Sequence, residues 1–217
     1  MKPRRLRAFT LVEIVLAVAL LGGLLLAMNV FIFSMGEIWG RNGEQRLFDQ
    51  HVRAVTRHVE GLLRRAALTP GALGGGGAPV SAQEIRLENG SRERLLTFDL
   101  PDGDRVLPWP RAPLPDVVCS LAAQDGRGLL LYWHSRLETR FEEDPPRVTV
   151  LSPFGVSLTY DYYQADFKSW QNQTRLQQDR EGRWQAPQRI TLRFVHGKMT
   201  AETTVALPAP TSALPAF

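Results

Sequence analysis

Cysteine is almost missing from this sequence: Cys119 is the only one in 217 residues. A single cysteine excludes an intrachain disulfide and a zinc site built from several thiolates. Because free cysteine usually behaves as a small buried hydrophobic residue, we expect Cys119 in a core. The catalytic motifs HExxH and GxSxG are also missing, and the glycine-rich stretch 71–79 lacks the GK[ST] of a phosphate-binding loop.

The four histidines show no spacing that favours a metal site or a catalytic site. His51 and His58 are seven residues apart on a predicted helix. About 10 Å therefore separates them along its axis, which is too far for one metal ion. We expect both side chains to be solvated. With no catalytic motif, the sequence predicts a protein that is not an enzyme and needs no cofactor.

Only the first eight positions have an excess of basic residues. The formal net charge is +4, from 26 basic and 22 acidic side chains, and four of the basic ones precede residue 9. The rest of the chain therefore has 22 of each sign, and residues 66–217 have 16 basic and 17 acidic. The net positive charge belongs to the N-terminal octet, so we expect no nucleic-acid partner.

What the sequence does contain is a long apolar run over residues 9–33, which reads FTLVEIVLAVALLGGLLLAMNVFIF. A run of about this length spans a bilayer as one helix. The basic residues before it predict a cytoplasmic N-terminus and an external remainder, because positive charge stays inside. A plain signal anchor is the alternative interpretation.

Glu13 is unusual in such a run, because a carboxylate in a membrane helix costs a few kcal/mol and needs a partner. No lysine or arginine lies between residues 9 and 40. If the chain is cut between Ala8 and Phe9, Phe9 gains a free α-amine and Glu13 becomes the fifth residue. In a bundle of similar helices, Glu13 of one subunit would then pair with the amine of its neighbour.

The basic octet followed by FTLVE at residues 9–13 resembles the class III signal of type IV pilins and pseudopilins. The resemblance implies that a prepilin peptidase cuts between Ala8 and Phe9 and that the amine of Phe9 is then methylated. It also implies that Glu13 guides the docking of subunits. The family strongly prefers glycine at the position that Ala8 occupies here.

The whole sequence predicts an α+β protein, with a long N-terminal helix packed on an antiparallel β-sheet head. We divide it into a leader (1–8), a membrane-spanning helix (9–35), an amphipathic helix (36–69), a glycine-rich loop (70–83), a β-rich head (84–207) and a disordered tail (208–217). An apolar stripe with 4-3-4-3-4 spacing predicts that the second helix packs on the head, a free coiled coil being the alternative. The stripe consists of Phe48, Val52, Val55, Val59, Leu62 and Ala66.

Runs of alternating apolar and polar residues predict the strands of the head, and alternation suits antiparallel sheets with one face on a core. Residues 101–116 contain five prolines and must be irregular. The predicted strands are Glu84–Glu88, Arg94–Leu100, Gly128–Ser135, Val148–Ser152, Val156–Tyr163, Gln188–Val195 and Met199–Leu207.

The end of the head carries a narrower resemblance. The strand Val156–Tyr163, then Trp170 and Trp184, then a strand entered through Pro187 and a final hairpin are similar to the J-type minor pseudopilins of type II secretion systems. The resemblance implies a structural subunit at the tip of a pseudopilus that supports protein export. A minor pilin of a type IV pilus or DNA-uptake system is one alternative, and a membrane-anchored periplasmic enzyme is another.

The same resemblance implies the partners and the location. The partners would be other pseudopilins (the tip complex and the major pseudopilin), the prepilin peptidase, the inner-membrane assembly platform and membrane lipid. The chain would cross the bacterial inner membrane once, with a periplasmic head, before it enters the pseudopilus.

Two further groups of residues in the head are candidate sites. Asp99, Asp102 and Asp104 are candidate calcium ligands, because some pseudopilins bind calcium in head loops. Their spacing falls short of the EF-hand pattern, so we expect a solvated turn and no metal. Trp109, Trp170 and Trp184 could stack on nucleic-acid bases. Packing or a protein contact is the interpretation that the neutral head favours.

Overall fold

The structure is a computed structural model that describes residues 10–67, 80–88, 90–141, 143–179 and 181–208, with the backbone alone for residues 36–42 and 67. The predicted leader (1–8), residues 70–79 of the predicted loop and residues 209–217 of the predicted tail lie outside the described residues. The chain divides into two compact units, Met1–Leu47 and Phe48–Phe217.

A single helix, α1 (Leu11–Ala67), begins in the first unit and ends in the second. Its residues Leu11–Met35 have a mean hydropathy of 2.6 and are exposed among the described residues. In the described part of the chain, this is the one helix that is long and apolar enough to cross a membrane. The predicted apolar helix is therefore present.

The C-terminal part of α1 packs on the head, as its apolar stripe predicts. All six residues of the stripe are buried and belong to the main core, together with Leu63. The spacing places them on one side of the helix, and their burial removes apolar surface from water. The prediction of an amphipathic helix that packs on the head is confirmed, and the free coiled coil is excluded.

Nine strands, in two antiparallel sheets, make up the part of the head that the structure describes. In the first sheet the order is β1-β2-β3-β4-β5, and in the second it is β7-β6-β8-β9. The bounds are β1 Val80–Arg86, β2 Arg92–Leu100, β3 Val117–Gln124, β4 Gly128–Ser135, β5 Arg147–Ser152, β6 Gly155–Gln164, β7 Ser169–Gln173, β8 Arg189–His196 and β9 Met199–Ala206.

The predicted α+β class is confirmed, and the predicted antiparallel strands of the head lie in two sheets. Inward-facing residues of both sheets and the stripe of α1 form one core cluster. A second, smaller cluster lies on the opposite face of the first sheet and includes Leu95, Leu130 and Tyr132. The first sheet is therefore covered on both faces near its centre.

Two of the strands, β3 and β7, were not predicted. The predicted loop over 70–83 ends earlier than expected, because Val80–Gln83 belong to β1. Strand β3 has no alternation, since its first six residues are all buried. A strand that is covered on both faces reads as a continuous apolar run. Strand β7 is short and polar, and it is held by its pairing with β6.

Gly128, at the start of β4, is required by the approach of the neighbouring strand. Its φ is +87°, and a Cβ at this position would lie 2.0 Å from the carbonyl oxygen of Ser152. The pairing of β4 with β5 shifts its register between Leu129 and Leu130. Only glycine combines this backbone conformation with such a close contact.

Candidate functional site

The first turn of α1 is closed by Thr10 and Glu13, which bond to each other's backbone. The Glu13 carboxylate accepts hydrogen bonds from the Thr10 N–H (2.9 Å) and the Thr10 hydroxyl (3.1 Å). The Glu13 N–H donates to the Thr10 hydroxyl oxygen (3.3 Å). This arrangement is a capping box, which satisfies donors that a helix leaves free at its N-terminus.

The capping box gives Glu13 a partner that sequence reasoning overlooked. No lysine or arginine lies between residues 9 and 40, whereas T-x-x-E at residues 10–13 indicates a neutral partner for Glu13 in the sequence itself. Both bonds that the carboxylate accepts end on Oε2. Among the described residues Oε1 has no partner, so half of the carboxylate stays available to another donor. Ala8 and Phe9, the predicted cleavage site, lie outside the described residues.

The three aspartates predicted as a candidate calcium site face different partners. The Arg136 guanidinium donates to both carboxylate oxygens of Asp99, at 2.7 and 3.2 Å. Asp104 accepts a hydrogen bond from Arg65 and another from the Val106 N–H (2.8 Å). Asp102 is exposed. Across the described residues, no group of three or more His, Cys, Asp or Glu side chains is placed to hold a metal ion.

The ion pair of Asp104 fastens the last turns of α1 to the loop after β2. Arg65, near the end of α1, also donates to the carbonyl oxygen of Gly103 (3.4 Å). Burial of Asp104 opposes its ionisation, but the hydrogen bonds from Val106 and Arg65 outweigh burial and lower the pKa of its carboxyl group. Asp99 and Asp104 are therefore better described as structural anchors of the head than as ligands.

Each of the three tryptophans singled out in the sequence lies beneath an arginine. The guanidinium carbon of Arg147 is 4.3 Å from the ring centre of Trp109, and that of Arg189 is 3.8 Å from Trp170. Arg94 covers Trp184 at 4.1 Å. Cation–π contacts of this kind hold an aromatic ring in place. Since Trp109 and Trp170 remain about half exposed (51% and 46%), they are fixed aromatic surfaces.

The histidines of α1 are not solvated as predicted. The Nε2 of His51 lies 2.9 Å from the hydroxyl oxygen of Ser152, and its ring centre is 4.5 Å from that of Phe154. Burial lowers the pKa of His51. The Nε2 of His58 is buried and has no hydrogen-bond partner in the part of the chain that the structure describes. Both side chains therefore belong to the contact between α1 and the head.

Cys119 lies in the core, as its sequence predicts. It is 0% exposed, and burial raises the pKa of its thiol. A thiol in this environment stays protonated and is a poor nucleophile.

Comparison with known proteins gave no relative: no protein-family model matches the chain, and no curated protein matches it. Its function is therefore inferred from two features of the molecule itself. One is the N-terminal sequence with its capped apolar helix, and the other is the two-sheet head on which that helix ends.

Proposed function

We propose that this chain is a minor pseudopilin, a structural and assembly subunit at the tip of a type II secretion pseudopilus that supports protein export. A prepilin peptidase cuts it between Ala8 and Phe9, and the new amine of Phe9 is methylated. Before assembly, the head lies in the periplasm and the apolar part of α1 lies in the inner membrane. During assembly it leaves the lipid and packs among the helices of other pseudopilins.

The observation that carries this proposal is the exposed, capped start of the apolar helix. None of the described residues buries Leu11–Met35, so this segment needs an environment that lipid or other apolar helices supply. Glu13 is exposed at its first turn. Oε2 is engaged by Thr10, which leaves Oε1 for a donor from another molecule.

A donor of the right kind is the α-amine of Phe9 in a neighbouring subunit. A carboxylate and an ammonium group in an apolar setting neutralise each other, and each charge alone is costly there. The pairing would therefore favour subunits that place their helix starts side by side. The head, with the fixed rings of Trp109 and Trp170 on its surface, supplies anchors for contacts with neighbours.

The first test is the intact mass of the protein extracted from its native membrane. The expected species begins at Phe9 and is heavier by one methyl group. A chain that still carries residues 1–8 would contradict the proposed processing and would leave a simple anchored domain with a head of other function.

The second test separates the charge of Glu13 from its capping role. In the Glu13→Gln variant the side chain can still cap the helix, because glutamine serves in a capping box, but it has no charge. Thr10→Ala is the matched variant, which removes the cap and keeps the charge. Both full-length variants are returned to the native host, and membrane insertion, N-terminal mass and co-purification with other pseudopilins are measured.

The proposal expects Glu13→Gln to insert and to be processed normally but to lose co-purification. Thr10→Ala is expected to keep co-purification, since the cap contributes only about 1 kcal/mol to the helix. The opposite pattern, with normal assembly of Glu13→Gln and failure of Thr10→Ala, would mean that Glu13 serves the helix start alone.

A further inference from the structure

A cavity of about 500 Å³ opens in the head between the two sheets. Its walls come from the start of β2, the end of β3, the middle of β6 and the segment that follows β7. The lining side chains that bear on its chemistry are Arg92, Arg94, Arg175, Tyr160, Thr174 and Trp184. None of them belongs to the N-terminal site, and pockets of this size commonly hold small ligands.

Tyr160 lines this cavity with a hydroxyl group that has no partner. The residue is 5% exposed, and no hydrogen bond to its side chain occurs within the described residues. The buried polar side-chain atoms that lack a partner in the described residues do not include its hydroxyl oxygen, so that oxygen is open to the cavity. Tyr162 lies two residues on, on the same side of β6, and its hydroxyl accepts from the Gln177 N–H at 3.0 Å. The Tyr160 hydroxyl, by contrast, is free to donate to a ligand in the cavity.

The state of the Tyr160 hydroxyl defines what the ligand must offer. Burial raises the pKa of Tyr160, so at neutral pH the group keeps its proton and can donate it. The ligand must then present an acceptor oxygen. The hydroxyl group of Thr174 lines the same cavity and can serve as a second donor.

The charge of the lining favours an anionic acceptor. Three arginines and one acidic residue, Glu93, line the cavity. Arg94 is partly neutralised by Glu84 at 3.6 Å, but Arg92 and Arg175 have no ion-pair partner among the described residues. Guanidinium groups bind carboxylate and phosphate oxygens through paired hydrogen bonds. The cavity therefore has two uncommitted cations beside an uncommitted donor.

One wall of the cavity is held in position before any ligand arrives. Trp184 pairs with Gln178 in an isolated antiparallel bridge, and Arg94 covers its ring. The Gln185 N–H donates to the carbonyl oxygen of Gln177 at 3.0 Å. A site whose walls are already ordered loses little entropy when a ligand binds, and the flat indole provides an apolar surface for the remainder of that ligand.

We propose that this cavity binds a small organic or inorganic anion whose carboxylate or phosphate oxygens are held by Arg92, Arg175 and the Tyr160 hydroxyl. The proposal does not rest on the pseudopilin function. If no anion binds in this cavity, the processing and co-purification tests at the N-terminus keep their meaning. If those tests contradict the pseudopilin function, the proposal of an anion site still stands.

The test is a titration of the full-length protein, with ¹⁵N-labelled indoles, in micelles of an uncharged detergent. Inorganic phosphate is added in one series and succinate in another, with ionic strength held constant by sodium chloride. The reporter is the indole N–H signal of Trp184. Trp109 is the internal control, because it does not line the cavity.

The expected result is a saturable shift of the Trp184 signal with at least one of the anions and no shift of Trp109. The anion with the tighter binding identifies the group that the site prefers. Succinamide, which has the shape of succinate without its charge, is expected not to bind. An equal response to succinamide, or no saturable response to either anion, would overturn the proposal.

Variants assign the binding to the named side chains. Tyr160→Phe is expected to weaken binding about fivefold, as for the loss of one neutral hydrogen bond, and Arg175→Gln about tenfold or more. The matched controls are Tyr163→Phe, three residues beyond Tyr160 on the same strand, and Arg193→Gln, an exposed arginine on β8. Wild-type affinity in both cavity variants would overturn the proposal.

A folding control accompanies each variant. The indole N–H of Trp133 donates to the hydroxyl oxygen of Thr149 at 2.9 Å, so an unchanged Trp133 signal reports an intact first sheet. If Tyr160→Phe disturbs that signal, the affinity of Arg175→Gln alone tests the proposal, because Arg175 is an exposed side chain outside the core.

Discussion

Asp161 joins three strands of the second sheet through one buried carboxylate. It lies on β6 and is 2% exposed. It accepts hydrogen bonds from Asn172 on β7 (2.7 Å) and from Arg189 (2.9 Å) and Thr191 (2.8 Å) on β8. Asn172 and Arg189 are also its direct neighbours in the register of the sheet. Replacement by alanine removes all three bonds at once.

The expected loss of stability follows from these bonds and from the exposure of the donors. Each hydrogen bond contributes about 1 kcal/mol, and breaking a buried ion pair costs about 3–5 kcal/mol. The Arg189 side chain is 35% exposed, so water can replace its partner and the lower end of that range applies. Asp161→Ala is therefore expected to lower the free energy of unfolding by about 3 kcal/mol.

The assay is thermal unfolding of the full-length protein in detergent, followed by near-ultraviolet circular dichroism. For a domain of this size, about 3 kcal/mol corresponds to a fall in Tm of about 6–12 °C. Asp166→Ala is the control, since Asp166 is exposed in the turn between β6 and β7 and such changes stay within about 0.5 kcal/mol. Equal Tm values for the two variants would refute the reasoning.

A double variant shows whether the pair itself carries the effect. If Asp161 and Arg189 stabilise each other, Asp161→Ala combined with Arg189→Ala should cost less than the two single changes together. Strict additivity would mean that Asp161 acts through Asn172 and Thr191 alone.

Three further predictions follow from local features. Gly128→Ala is expected to lower the free energy of unfolding by about 2–3 kcal/mol, because the φ of Gly128 is positive and the added carbon meets Ser152. Gly126 is the control: its φ is also positive but its site is open, so Gly126→Ala should lower the free energy of unfolding by only about 1 kcal/mol. Cys119 should resist iodoacetamide in the folded protein and react fully after unfolding, as measured by mass; rapid labelling of the folded protein would contradict its burial. The folded pKa of Asp104 is lowered, so its contribution to stability is present above the unfolded pKa of about 4 and is lost as pH falls through the folded value. Asp104→Asn should therefore make Tm depend less on pH at the acid end of a plot of Tm against pH. Parallel curves for the variant and the wild type would contradict this.

The sequence was most informative where one face of an element is buried. The 4-3-4-3-4 stripe of α1 predicted its packing. Strand β8 buries alternate residues, and its predicted bounds, Gln188–Val195, differ by one residue at each end from the observed Arg189–His196. Periodicity reports burial on one side only. It therefore failed at β3, where both faces are covered, and at β7, where pairing rather than burial holds a polar strand.

The candidate site was predictable only in part, for a related reason. Glu13 stands out in the sequence because it is costly in an apolar run, and its partner Thr10 lies three residues away and could have been read from the same run. The partners of Asp99 and Asp104 are Arg136 and Arg65, each more than 35 residues distant. Nothing local predicts such pairs, because they depend on how the sheet and α1 come together.

The exposure of Leu11–Met35 has a consequence for how variants of this protein should be measured. Since Leu11–Met35 is exposed among the described residues, we expect it to contribute little to the cooperative melting of the head. Substitutions within it will alter partitioning into a bilayer and leave the melting curve in place, while substitutions in the head will do the reverse. Two independent free energies therefore describe this one chain, and each requires its own experiment.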